Sequence, residues 1–408
     1  MRYNPVVRKV PIAVGGGALA LVIAIGLVAR PRPGQGATDV RVPPPGEVLY
    51  EAPPGSKGAS AVELRRLEGA DPNDPAALAR ALASARRSIE ASRKTGDPRH
   101  LGHAEAALAP FVALPDPPAD VLVLSATIEQ SRHDFDGALR DLDRALAKRP
   151  DDAQCLLTRA VVLSVRADYT KAAQSCEAAR ELVPPVVYET CAGSVLGVSG
   201  KAKEAIGRIE AALQRPSRVP REVVAWAVSV SAELRARVGD AAGAEAGYKQ
   251  ALDLDPGDPY VIGAYADLLL DAGRPKEAVA LLAPHEDNDG LLLRLVLAKT
   301  AAADPDAARA RAELVGRYEA SRLRGDVVHR REESRWALHG AREPRRALEL
   351  ARANWEVQKE PADARALLEA ALAARDPRAA DPAIAWAEAS GVEDVVVRRL
   401  VAEAKAAR

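Results

Sequence analysis

The sequence predicts an all-α protein: an α-solenoid of about seven helical hairpins, preceded by one N-terminal transmembrane helix and a Pro-rich linker. Three observations carry this. First, residues recur at a spacing of 34: Ala104, Ala138 and Ala172; Leu108, Leu142 and Cys176; Phe111, Ala145 and Ala179; and Pro150 with Pro184. Second, aromatic residues make up only 3% of the 408 and Met1 is the sole methionine. A core of Ala, Leu and Val suits close-packed helices better than a β-sandwich. Third, Val10 to Ala29 is an uncharged run of 20 residues, about 30 Å as a helix, the thickness of one bilayer core. After residue 58 the apolar residues keep a helical period, and no convincing alternating strand is present.

The repeat pattern has a physical reading. Small residues let two helices approach closely, and the closing Pro ends the second helix because it cannot continue the hydrogen-bond ladder. Ala126 and Ala160 add a small residue midway along the first helix, and Phe135 and Tyr169 an aromatic before the second. The earliest copy departs at Asp116, between Pro115 and Pro117, where the others hold Pro. On these residues the chain resembles the tetratricopeptide repeat family. The resemblance implies the fold and an interaction scaffold, but no particular partner or reaction.

Composition narrows the function classes. Lys and Arg number 57, as do Asp and Glu, and the resulting zero net charge argues against a nucleic-acid role. Residues 1–57 hold seven basic and three acidic residues, so the tail carries +4 and the rest −4. Cys155, Cys176 and Cys191 fit no zinc signature and read as small apolar residues packed between helices. Their odd number leaves room for one disulfide and one free thiol, in a pairing that spacing does not decide.

In chain order, residues 1–9 form a basic N-terminus with Arg2, Arg8 and Lys9. Residues 10–29 are the expected transmembrane segment. Pro11, Gly15, Gly16, Gly17 and Gly26 weaken the run, although Gly and Pro are commoner in membrane helices than in soluble ones. A cleaved signal peptide and an uncleaved signal anchor compete, and the length of the run favours the anchor. Signal-anchor logic with the basic N-terminus places the N-terminus in the cytoplasm and the repeat domain on the extracytoplasmic, periplasmic side. Residues 30–57 are a Pro/Gly-rich linker, partly polyproline II and tens of Å long.

Residues 58–408 are the helical-repeat domain. An elongated first pair comes before the clearest repeats, 119–150, 153–184, 186–216, 225–256 and 259–285. The segment Tyr248 to Pro256 is close to the family consensus. From 288 to 408 the repeats are degenerate, with helices expected near 289–302, 305–323, 328–339, 344–357, 362–374 and 382–390, and a capping helix from Glu393 to Lys405.

Chemistry-bearing motifs are sparse. Gly15 to Gly17 lie in the apolar run and no GK[ST] follows, so no phosphate loop is expected. His100 and His103 read as solvated residues at a helix start. Arg324-Gly325-Asp326 reads as an inter-helix turn. The richest segment is Val328 to Gly340. His329 and Glu333 stand four apart there, near Arg335 and Trp336, with Trp355 on the partner helix. A histidine beside a carboxylate suits acid/base work, so an enzyme site around His329 and Glu333 is one alternative. A solvated charged face pinned by Trp336 and Trp355 is the plainer reading, with His329, Glu333, Arg335 and Trp355 as a second binding site beside it.

The main expectation follows from the resemblance, which places first helices on a concave groove. The matching positions are Thr127, Gln130, Gln154, Leu157, Trp226, Ser229, Tyr260 and Asp267, with Tyr260 and Trp226 as anchors for a peptide. Asparagine occurs only at 4, 73, 288 and 354, outside the five clear repeats, so the Asn/Lys clamp that some relatives use on chaperone tails is not expected. No catalytic residue, cofactor, metal or small-molecule substrate is expected. The partner is expected to be a membrane or envelope protein, in cell-envelope assembly or transport. A purely architectural spacer is the remaining alternative.

Overall fold

The computed structural model describes residue 71 and residues 73–215, 219–323 and 330–408. The expected membrane span 10–29, the linker 30–57, the 324–326 tripeptide and His329 lie outside the described residues. Among the described residues no helix is long and apolar enough to cross a membrane.

Nineteen α-helices and no strand make up the described chain. Fourteen pair as seven consecutive hairpins: α1 (Pro75–Thr95) with α2 (Arg99–Val112), α3 (Ala119–Ser131) with α4 (Phe135–Lys148), and α5 (Ala153–Val165) with α6 (Tyr169–Ala178). Then come α7 (Pro185–Val198) with α8 (Ala202–Leu213), α9 (Arg221–Arg237) with α10 (Ala241–Leu254), α11 (Pro259–Asp271) with α12 (Pro275–Leu282), and α13 (Asp289–Ala301) with α14 (Ala307–Leu323). After them come α15 (Arg330–Arg335), continued by a π turn over Trp336–Gly340, then α16 (Pro344–Trp355), α17 (Pro361–Ala373), α18 (Asp381–Ser390) and α19 (Val395–Ala406).

Local chemistry sets the boundaries. Asp134, Asp168 and Asp240 cap the second helices by accepting from the backbone N–H of Gly137, Lys171 and Gly243. Asp152, Asp258 and Asn288 cap first helices in the same way. Each such cap is worth about 1 kcal/mol. The first helix of each of the seven hairpins closes on one residue of positive φ, among them Gly96, Ala167, Gly200, Gly239 and Gly273. That left-handed residue ends the first helix and turns the chain into the second.

The repeat positions are the core. Ala104, Ala138, Ala172, Ala205, Ala244 and Ala278 are fully buried, and Leu108, Leu142, Cys176, Ile209, Tyr248 and Leu282 are buried one turn later. Ala310 and Leu314 take the same two places in the seventh hairpin, so the pairing of a small with an apolar residue runs one hairpin beyond the segment in which it is plain in the sequence. Cys176 and Cys191 form a disulfide between α6 and α7. Cys155 is a buried free thiol whose Sγ donates to the Leu142 carbonyl at 3.4 Å. His100 corrects one expectation. It is buried rather than solvated, because α2 turns it towards the core of the first hairpin, where neither ring nitrogen has a partner.

The helices after α14 do not simply extend the stack. They lie against the turns of the middle hairpins. Lys359 N donates to the Val165 carbonyl at 2.8 Å at the end of α5, and Trp386 Nε1 donates to the Tyr169 hydroxyl at 2.8 Å. At Gly200 a Cβ would stand 2.8 Å from the Gly391 carbonyl oxygen, so this close approach of two backbones requires glycine. Lys203 N donates to Glu393 at 3.2 Å, and Val395 sits beside Gly239. Arg365 grips Asp271 at the end of α11 with two bonds of 2.6 and 2.8 Å. The chain thereby closes on itself.

Candidate functional site: a chamber lined by ion pairs

Closure leaves a chamber of about 400 Å³. Its walls come from the C-terminal parts of α1 and α9, from α11, α13 and α15, from α17, and from the start of α19. On α11, Tyr260, Ala264, Asp267 and Asp271 fall three or four apart and so face it together.

The wall is a network of ion pairs. The Tyr260 hydroxyl donates to Glu233 Oε2 at 2.5 Å, and Glu233 also pairs with Arg237 one helical turn on. Asp267 takes Arg294 Nη2 at 2.8 Å and Arg335 Nη2 at 2.8 Å. Burial pushes the Asp267 carboxyl up, but Arg294 and Arg335 outweigh it and hold it well below the usual carboxylate range. Glu369 accepts from Arg365 Nε at 2.8 Å and lies 3.1 Å from His339 Nε2. Burial opposes ionisation there too, yet His339 and Arg365 bring Glu369 down to about 2.

One corner is different. Asp363 is fully satisfied: Asn354 Nδ2 donates at 2.8 Å, Gln358 Nε2 at 3.0 Å, Arg331 Nη1 at 3.2 Å and the Glu360 backbone N–H at 2.9 Å. Glu360 is not. Its Oε2 lies 3.4 Å from Arg331 Nη1, while its Oε1 is buried without a partner. Burial and the adjacent Asp363 push the Glu360 carboxyl up against the opposing pull of Arg331. Asp363 is pushed up by burial as well, but its four donors oppose that shift, whereas at Glu360 Arg331 is the main group that opposes it. Arg237 Nη1 is likewise buried without a partner.

Of the residues singled out in the sequence, Tyr260, Asp267 and Arg335 line the chamber. Gln130 is buried next to Ser131, which lines it. Thr127 is half-buried and donates to the Val123 carbonyl, and Gln154 donates to Thr158 at 3.2 Å. Leu157 and Trp226 are buried in the core shared by α5 to α9, and the Ser229 hydroxyl donates to the Trp226 carbonyl. Glu333 is buried, 3.8 Å from Arg322, and Trp355 packs edge-on against Trp386 with centroids 5.7 Å apart. The chamber residues Arg294, Arg365 and Glu369 were not anticipated. Arg365 and Glu369 pair with each other one helical turn apart, but the residues that bring them to the chamber, Asp271 and His339, are distant in sequence, as Asp267 is from Arg294. Among the described residues no cluster of three or more His, Cys, Asp and Glu is placed to hold a metal.

Fold and chamber together define a helical-repeat solenoid closed by its own C-terminal helices. Residues 236–289, from the end of α9 to the start of α13, match the family model of the tetratricopeptide repeat. Similar solved structures include PilW, described as a widely conserved type IV pilus biogenesis factor, at 20% identity over 52% of this chain and 98% of that one, with a TM-score of 0.40. A tetratricopeptide repeat protein from Parabacteroides merdae is similar at 17% identity over 59% of this chain and 99% of that one, with a TM-score of 0.36. Yeast Tom70 is similar at 14% identity over 85% of this chain and 81% of that one, with a TM-score of 0.38. No curated protein matches the chain.

Proposed function

We propose that this chain is a membrane-tethered interaction scaffold that binds a segment of another protein by receiving its side chains in the chamber. Residues 10–29 tether it, and the repeat domain stands on the extracytoplasmic side, where the partner is a membrane or envelope protein. The observation that carries the reading is the chamber itself. A space of about 400 Å³ whose wall holds the aromatic Tyr260 among charged groups suits a few side chains of a partner segment. The Cys176–Cys191 disulfide supports the compartment, because such bonds persist in oxidising surroundings. Tethering raises the local concentration of a membrane partner.

Ala362→Trp provides the test. Ala362 is exposed at the chamber wall, so the larger ring fills the space without entering the core. Crosslinking in intact cells, detergent extraction and mass spectrometry should show a defined partner with the native chain and its loss in Ala362→Trp. A partner retained at the native level would remove the chamber from the account.

A further inference from the structure

The chamber is unevenly charged. Nine carboxylic residues line it against six arginines. The guanidiniums of Arg294, Arg335 and Arg365 are already engaged by Asp267, Asp271 and Glu369. An acidic ligand would have to displace one of these pairs. An acceptor for a cation, by contrast, stands ready. Glu360 is 5% exposed, it lines the chamber, and its Oε1 has no partner. A buried carboxyl oxygen left unmatched costs stability unless something fills it. Arg237, whose side chain is 10% exposed, offers an equally unmatched donor in Nη1 from the same wall.

We propose that the chamber recognises a basic side chain of the partner segment, an arginine or a lysine, through Glu360 Oε1, while Arg237 Nη1 donates to a main-chain carbonyl oxygen of the same segment. This rests on the chamber being the binding site. The chemistry is complementary. The incoming cation supplies the donor that Glu360 lacks, and the carbonyl supplies the acceptor that Arg237 lacks. Asp363 and Arg331 hold Glu360 in place from α17 and α15, so the site is formed before the ligand arrives. Burial beside Asp363 favours the protonated form of Glu360 in the empty chamber, so Glu360 releases that proton to solvent as the incoming cation takes its place.

The probes are two fluorescent peptides of equal length, one rich in arginine and one rich in glutamate, read by anisotropy against the full chain in detergent. The arginine-rich peptide is expected to bind and the glutamate-rich one not. Glu360→Gln, which keeps the shape of the neutral carboxyl, should weaken binding roughly tenfold or more. Thermal melting of Glu360→Gln checks that the fold persists, and Glu360→Asp should restore part of the affinity. Equal binding to Glu360→Gln and the native chain would overturn the proposal. Glutamate-rich binding that Ala362→Trp abolishes would also overturn the basic chemistry, yet leave the chamber as the site. Binding that survives Ala362→Trp would overturn both.

Discussion

Arg335 Nη2 donates to Asp267 Oδ1 at 2.8 Å, joining positions 68 apart in the sequence. Arg294 approaches the same carboxylate from α13. This carboxylate ties the sixth hairpin to the seventh and to the returning C-terminal helices. Asp267→Ala leaves two guanidiniums without their anion. Breaking such a pair from one side costs more than removing both charges. The expected loss is about 2 kcal/mol, reduced from the fully buried case because Asp267 and Arg335 keep some exposure. Denaturant titration of Asp267→Ala, of Arg335→Met and of the double variant measures it. Full additivity would show that the pair does not couple the two regions.

The Cys176–Cys191 bond closes a loop of 15 residues between consecutive hairpins. A loop of that length is worth about 3 kcal/mol through the unfolded chain. Reductant is therefore expected to lower the melting temperature of the native chain and not that of Cys176→Ser. Burial pushes the Cys155 thiol up to about 12, with Asp152 adding to it. An alkylating reagent should label no cysteine of the folded, oxidised protein and Cys155 alone once it is unfolded without reductant. Labelling of Cys176 or Cys191 in that second state would contradict the bond.

Glu129 gives a pH dependence. Burial, then Asp141 and Asp134, push its carboxyl up to about 8 against Arg140 and Arg132, and its Oε2 has no partner. The folded state thus binds a proton that the unfolded state has released. Stability from this group is whole below the ordinary carboxylate range and falls as the pH rises through about 8. Glu129→Gln should stabilise the chain on the order of 1 kcal/mol near pH 9 and change little near pH 5. Thermal melts at the two pH values decide it, and an equal effect at both would contradict the assignment.

Gly200 sits at φ +74°, with the Gly391 carbonyl against the place a Cβ would take. Gly200→Val adds backbone strain and pushes away the turn that ends α18, at a cost of about 2 kcal/mol. Amide hydrogen exchange should quicken in α18 and α19 and stay unchanged in α3 and α4. Uniform protection would mean that the C-terminal helices are not held through this contact.

The solenoid was legible because its signal is local and repeated. Ala138 and Ala172 lie 34 apart, and each packs a helix against its own hairpin partner. The helix expected over 344–357 appears as Pro344–Trp355, since Pro344 starts it and its apolar residues keep one face. The site was only partly legible. Tyr260 and Asp267 read in the sequence as groove positions of first helices and Arg335 as part of a charged segment, and all three line the chamber. That Asp267 and Arg335 meet, and that Arg365 reaches Asp271 across 94 residues, depends on the C-terminal helices folding back. No periodicity encodes that return. Its contacts join single residues far apart in the chain, such as Lys359 with Val165, Trp386 with Tyr169 and Gly391 with Gly200, and a single residue does not name its distant partner.

A photo-reactive p-benzoylphenylalanine at Ala264 reports whether a partner enters the chamber. Ala264 lines the chamber, and Lys249, exposed on α10 and absent from the lining, serves as the control position. After irradiation of intact cells, a membrane or envelope protein crosslinked from position 264 and not from 249 is the expected result. The same products from both positions, or none from 264 while the native chain still captures its partner, would contradict it.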